Sequence, residues 1–144
     1  MKPRQFIEQL DEARLVAAIA AAERKSSGEI RVYVTHHKIE DALARAKIRF
    51  AKLGMEKTRR RNAVLIYFAP RSRKFAVVGD VAVHERCGET FWREVTAAMT
   101  PLLQAGRPTE AVEAAVKKIG ALLAEHFPRR PDDRNELPDD IARD

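Results

Sequence analysis

The chain has few cysteines and no long hydrophobic run. Cys87 is the single cysteine among 144 residues, so an internal disulfide is excluded and a reducing compartment is expected. Nowhere do about 18 apolar residues follow one another, which predicts that no helix spans a membrane. The first residues also lack the apolar run of a secretory signal peptide. These absences together predict a cytoplasmic protein.

Complete catalytic motifs are missing as well. The sequence contains no Walker loop, GxGxxG, GxSxG, HExxH or EF-hand pattern. Cys87 and Arg93 match the Cys-x5-Arg spacing of cysteine phosphatases, in which a thiolate attacks phosphate held by loop amides and an arginine. Phe91 and Trp92 fill the intervening loop with bulky side chains, and a chance match is the favoured interpretation.

What the sequence does contain suits a globular protein, since 45% of its residues are hydrophobic and 33% are charged. The net charge of +6 is uneven. Residues 129–144 carry four arginines and six acids, a net of −2, while the rest carries 23 basic and 15 acidic residues. The pattern predicts one α/β domain over residues 1–128 and a disordered, charged, proline-rich tail over residues 129–144.

Hydrophobic periodicity predicts the order of the elements. A helix from about Glu12 to Lys25, capped by Asp11, precedes a strand over Glu29–His36 with one face buried. A second helix over Glu40–Leu53 leads into a continuously apolar central strand at Ala63–Ala69, which completes a βαβ unit.

The second half of the chain continues the sheet and then turns helical. A third strand over Lys74–Gly79 is predicted to run antiparallel to the central strand after a tight connection. A loop from Asp80 then leads into a helix over Gly88–Leu103, and Thr109 is expected to cap a last helix that ends near Phe127. The fold class is therefore α/β: a three-layer α/β/α sandwich with a small mixed sheet and helices on both faces.

Acidic and imidazole side chains near the strand ends suggest a divalent-ion site. Asp80 and Glu85 are its expected ligands, with Glu29 or His84 nearby, and the ion is calcium or magnesium. Because the third strand runs backward, Asp80 is expected on the same rim as Arg61, next to Asn62. The favoured interpretation of these residues alone is a loop in which Asp80 caps a turn and His84 lies on the surface, since isolated acidic loops rarely bind metal specifically.

A run of basic residues offers a second kind of site. Arg59–Arg61 together with Arg71–Lys74 suggest a patch for the phosphates of RNA or DNA. A solvated basic edge is the favoured interpretation, because the aromatic residues of the strands are predicted to be buried.

Several phrases in order resemble one family. They are SSGEIRVYV at Ser26–Val34, FAKLGMEKTRRRNAVLIYFA at Phe50–Ala69, RKFAVVGDVAVHERCGETFW at Arg73–Trp92 and IGALLAEHFP at Ile119–Pro128. Together they are similar to the TPM domain in its short, soluble bacterial form. The combination is specific, although each phrase alone is weak.

The resemblance implies an α/β/α sandwich with a small mixed sheet. It also implies divalent-ion binding through acidic loop residues, and it places Asn62 at a recurring asparagine before the apolar strand. Short forms of the family accompany membrane-anchored TPM relatives and LemA-like proteins, which makes such a protein the expected partner. The expected function is a binding module with an ion site. A metal-assisted phosphatase, as in the thylakoid member of the family, and a basic nucleic-acid-binding domain are the alternatives.

Overall fold

The computed structural model describes residues 3–131 and 135–144, without the side chains of Pro3 and Arg4. Besides two short 3-10 helices at Met55–Lys57 and Pro70–Ser72, these ranges contain five α-helices and four strands. In chain order they are α1 Pro3–Gln9, α2 Glu12–Glu23, β1 Glu29–Val34, α3 Ala42–Lys52, β2 Ala63–Ala69, β3 Lys74–Gly79, α4 Val81–Gln104, α5 Pro108–His126 and β4 Ala142–Arg143. None of these helices combines the length and the apolar character needed to cross a membrane.

The four strands form one mixed sheet in the order β3-β2-β1-β4. β1 runs parallel to β2, with Glu29 opposite Ala63, so the predicted βαβ unit is confirmed. β3 runs antiparallel to β2, with Gly79 opposite Val64, as the short connection predicts. β4 pairs in parallel with the other side of β1, where Ala142 lies opposite Tyr33. The predicted α/β class is confirmed, and the finer three-layer description stays a prediction.

Each face of the sheet contacts its own apolar cluster. One cluster joins α1, α2, α4 and α5 to the Ile30, Val32 and Val34 side of β1. The other packs α3 against the face that carries Tyr33, with Phe50 at its centre. β2 is buried at every position, as its continuous apolar run predicts. The prediction of one buried face for β1 is wrong, because Glu29 and Tyr33 on the second face are buried too, against α3 and residues 135–144.

A side-chain cap sets where α2 begins, whereas α5 begins without one. Asp11 accepts a hydrogen bond from the backbone N–H of Arg14 at 3.1 Å, which confirms the predicted cap of α2. The last helix begins at Pro108 rather than at a Thr109 cap. The Thr109 hydroxyl instead accepts a bond from the N–H of Asp11 and donates one to the carbonyl of Gln9. It thereby fastens the α1–α2 turn to α5.

The prediction of a loop between Asp80 and Gly88 is wrong. α4 starts at Val81, directly after β3, because the Asp80 carboxylate accepts a bond from the Val81 N–H at 2.8 Å and caps the helix. The glycine that suggested a helix start instead produces a kink, since Gly88 has φ 71° and ψ −174° inside the helical segment. His84 and Glu85 therefore lie on a helix and not on a loop.

The C-terminal segment also differs from its prediction. Within it, residues 135–144 lie against the sheet, while residues 132–134 fall outside the described residues. Ile141 is only 7% exposed and belongs to the larger apolar cluster, and Leu137 packs on the smaller one. Proline and charge dominate the composition, but these two apolar side chains and the open edge of β1 are enough to dock the segment.

Ile141 gives a direct test of this docking. Ile141→Ala should lower the free energy of unfolding by about 2 kcal/mol, the lower end for a buried isoleucine, because β4 is short and adjusts to the loss. Leu43→Ala is the matched control: Leu43 is 48% exposed, so a change within about 0.5 kcal/mol is expected. Urea unfolding measures both. Equal, small losses in the two variants would show that residues 135–144 are not docked.

Candidate cation site

The amino ends of β1 and β2 and the carboxyl end of β3 meet at one end of the sheet. Asp80 donates its backbone N–H to the carbonyl of Ala63 at 2.9 Å, and Ala63 lies opposite Glu29. Asp80, Asn62 and Glu29 therefore follow one another across three adjacent strands. The expected shared rim of arginine and carboxylate side chains is present here.

Asp80 is already engaged on this rim. Arg61 donates from Nε to Oδ2 at 2.6 Å and from a terminal nitrogen to Oδ1 at 2.7 Å, a bidentate contact. The same contact raises the pKa of Arg61. Since Oδ1 also caps α4 through Val81, both oxygens of this nearly buried carboxylate have partners. The local structure assigns Asp80 to capping and to the Arg61 ion pair.

His84 and Glu85 lie on the first turn of α4, exposed to solvent. They line a surface cleft of about 580 Å³ together with Asp80 and Trp92, whose indole N–H approaches the His84 Nδ1 at 3.4 Å. Asp80, His84 and Glu85 do not place three donor atoms within 4.8 Å of one another in the described part of the chain. A metal at these residues stays a prediction.

Glu29 lies apart from that cleft, among four acids that we name the carboxylate cluster: Glu23, Glu29, Glu136 and Asp139. Glu23 is 6% exposed and Glu29 is 2% exposed. Glu23 Oε2 accepts the N–H of Ile30 at 2.9 Å, and Glu29 Oε1 accepts the N–H of Glu136 from the C-terminal segment. The cluster therefore joins the end of α2, the start of β1 and the last ten residues.

The second oxygen of each buried carboxyl group has no hydrogen-bond donor. Glu23 Oε1 and Glu29 Oε2 are both buried and unpartnered. Burial above all, and then the neighbouring Asp139 and Glu29, raise the pKa of Glu23 to about 11. Burial also raises the pKa of Glu29. Two neighbouring buried carboxyl groups without a protein donor are stabilised when they share a proton or bind a cation.

The polypeptide around the cluster is fixed by tight packing. A Cβ atom on Gly28 would stand 2.7 Å from Leu123 Cδ1, so a larger residue in the turn before β1 would require the Leu123 side chain on α5 to shift. Asn62 is 1% exposed and donates from Nδ2 to the Ser27 hydroxyl at 3.1 Å. Asn62 thus holds the turn that leads to Glu29, which gives the predicted supporting residue a positioning role.

Sequence reasoning missed Glu23, Glu136 and Asp139. Glu23 had a usable signal, because Leu15, Ile19 and Glu23 are spaced by four residues and share the buried face of α2. A carboxylate on a core-facing helical position is costly unless it has a partner. Glu136 and Asp139 gave no signal, since they belong to the segment predicted to be disordered.

The structure does not support the other two sites that the sequence suggests, the basic patch and the cysteine-phosphatase pattern. Arg59–Arg61 precede β2 and Arg71–Lys74 follow it, so the length of this strand, about 20 Å, separates the two groups. The predicted single basic patch is therefore split between opposite ends of the sheet. Cys87 lies on α4, and burial raises its pKa, with a further contribution from Glu125. A raised pKa disfavours the thiolate that phosphatase chemistry requires.

The fold and this cluster define a class: a small mixed-sheet α/β domain with buried acids at one end of the sheet. The TPM domain model matches residues 1–122, and the chain belongs to the TPM domain family, as its sequence predicts.

Solved structures agree with this assignment. The chain is similar to BA42 protein from the psychrophilic bacterium Bizionia argentinensis, determined by NMR, with 33% identity, 92% of each chain covered and a TM-score of 0.86. The N-terminal domain of a protein from P. gingivalis is 16% identical over 79% of this chain and 76% of that one, with a TM-score of 0.57, which shows the fold alone. No curated protein matches the chain.

The Glu23 carboxyl predicts a pH-dependent stability. Its folded-state pKa of about 11 exceeds its ordinary value of 4.5, so the folded protein binds the proton more tightly than the unfolded chain. The contribution of this proton to the free energy of unfolding is therefore complete below about pH 4.5, and it is lost as the pH rises toward about 11. In EDTA, the Tm should fall between about pH 5 and pH 9, and Glu23→Gln should flatten this slope.

Calorimetry at constant ionic strength provides the measurement. Glu89→Gln is the control, because Glu89 is 81% exposed and contacts only Arg93 among the ion pairs found in the described residues. The Tm of Glu89→Gln should change with pH as steeply as that of the unmodified protein. The same slope in Glu23→Gln would mean that Glu23 does not hold a proton in the folded state.

Proposed function

We propose that this TPM domain is a cation-dependent binding module, and that a hard divalent ion occupies the carboxylate cluster. The two unpartnered oxygens of Glu23 and Glu29 carry this proposal. Calcium and magnesium both prefer oxygen ligands, and carboxylates are their usual protein ligands. An ion between these oxygens replaces the shared proton and removes the cost of two facing, buried acids.

The position of the cluster indicates what the ion does for the protein. Glu23 ends α2, Glu29 begins β1, and Glu136 and Asp139 belong to the C-terminal segment. No three of these four described acids place donor atoms within 4.8 Å of one another, so in this proposal Glu23 and Glu29 bind the ion and the C-terminal acids move in to complete its coordination. The bound ion then cross-links three parts of the chain. Because its ligands come from separate segments, the site suits calcium, which tolerates irregular coordination, better than magnesium, which demands an octahedron.

Burial favours a structural ion over a catalytic one. Catalytic metal sites keep an open coordination position for water or substrate. Glu23 and Glu29 are almost completely buried, which disfavours the approach of a phosphate ester. The metal-assisted phosphatase stays an alternative prediction, as does the nucleic-acid-binding domain, whose two basic groups lie apart. The membrane-anchored TPM or LemA-like partner also stays a prediction from the family resemblance.

Thermal unfolding in calcium, in magnesium and in EDTA tests the ion site. An ion that binds only the folded state at about 100 times its Kd stabilises the protein by about 2.7 kcal/mol. We expect an upward shift of Tm with calcium that disappears in Glu29→Gln. Glutamine keeps an acceptor for the Glu136 N–H but removes the charge, so this variant is expected to fold.

Two further variants locate the ion. Glu89→Gln should keep the full shift. Asp80→Ala should unfold at a lower temperature in every buffer, because it loses the α4 cap at a cost of about 1 kcal/mol, and it should still respond to calcium. A calcium shift that vanishes in Asp80→Ala and persists in Glu29→Gln would move the site to the α4 cleft. No shift with either ion would overturn the proposal.

A further inference from the structure

A second group of metal-ligating side chains lies at the opposite end of β1. His36, His37 and Asp144 each offer one donor atom, and these three atoms lie within 4.8 Å of one another. They form the one such group of three that the described residues contain. The His36 and His37 rings also contact each other, with centroids 4.0 Å apart. Two imidazoles and one carboxylate thus converge on a single point of the surface.

The fold, and not chance proximity of mobile side chains, brings Asp144 to the histidines. β4 pairs with β1 so that Arg143 lies opposite Val34, which places the next residue, Asp144, beside Thr35. The Asp144 carboxylate then accepts the Thr35 hydroxyl at 2.5 Å and the His36 N–H at 2.8 Å. Its side chain is 14% exposed. The strand pairing and these two hydrogen bonds hold the carboxylate beside the histidines.

Asp144 also fixes the first histidine. His36 Nδ1 contacts Asp144 Oδ1 directly. Burial alone would raise the pKa of Asp144, but hydrogen bonds from Thr35 and His36 outweigh it and lower that pKa. This contact brings together two of the three donor atoms of the group, and an ion would bind between them in place of the hydrogen bond.

The position within the sheet supports a ligand site. β1 lies between two parallel neighbours, β2 on one side and β4 on the other, and His36 and His37 follow its carboxyl end. Ligands of open α/β sheets bind outside the carboxyl ends of parallel strands, where connections leave in opposite directions. The carboxylate cluster lies at the amino end of β1, about 20 Å away along the strand.

We propose that His36, His37 and Asp144 form a second metal site, which takes a borderline divalent ion of the zinc class. Imidazole nitrogen with carboxylate suits zinc and its transition-metal neighbours, whereas calcium and magnesium prefer oxygen alone. Three protein ligands leave a position for water. The bound ion ties the end of β1 to β4 and so fastens the C-terminal segment at a point separate from the carboxylate cluster. This site does not depend on the calcium proposal.

Isothermal titration of the tag-free protein with zinc chloride, in a buffer that does not chelate, tests the site. One zinc per chain is expected. His37→Ala should weaken the binding at least about tenfold. His37 contributes no side-chain hydrogen bond among those found for the described residues, so its removal leaves the fold intact. His126→Ala is the matched control, since His126 lies on α5 outside the group, and it should bind zinc like the unmodified protein.

Amide NMR spectra supply a second readout that locates the ion. Zinc should shift signals of residues 33–38 and 142–144, and Glu29→Gln should retain these shifts. That result separates this site from the carboxylate cluster. Equal affinity in His37→Ala and His126→Ala would overturn the proposal, as would zinc binding that is lost only in His84→Ala and shifts the start of α4.

Discussion

Two acidic side chains meet in the interior at the start of β1, and the arrangement around them follows from that contact. Glu23 and Glu29 are held by backbone N–H groups from Ile30 and Glu136, so neither can turn away to solvent. Each keeps one oxygen without a donor. A buried carboxylate pair is tolerated only when a proton or a cation lies between its members. The choice between these two occupants is the central question about this protein.

The C-terminal segment is connected to the same pair of acids. Glu136 and Asp139 approach Glu29 and Glu23 at the amino end of β1, while Asp144 reaches the carboxyl end. The segment thus runs the length of β1 and adds the fourth strand of the sheet. An ion at either end would strengthen this docking, since binding to the folded state alone shifts the equilibrium toward it. Metal occupancy and the order of this segment are therefore physically linked.

Much of the fold could be predicted because its signals are local. The continuous apolar run of β2, the Asp11 cap and the short β2–β3 connection each depend on neighbours in sequence. The start of α4 could not be placed, because Gly88 resembles a helix boundary while the effective cap is Asp80. The docking of residues 135–144 depends on Ile141 meeting an apolar cluster built from distant segments. Periodicity within so short a segment carries no such information.

The candidate site could be predicted only in part. Glu29 was identified, but it was grouped with Asp80, which Arg61 neutralises. Sequence order places Asp80 and Glu29 on one rim, but it does not show which side chains point into the protein. Glu23 could have been predicted as a buried acid from its spacing from Leu15 and Ile19 on α2. The contribution of Glu136 and Asp139 required knowledge of the tertiary fold.

A crystal structure of the protein grown with manganese, which shares the oxygen preference of calcium and magnesium, would show directly what lies between Glu23 and Glu29. We expect an anomalous-difference peak between Glu23 and Glu29, with Glu136 or Asp139 beside it. A peak at Asp80, His84 and Glu85, or no peak while Glu23 and Glu29 share a short hydrogen bond, would contradict it.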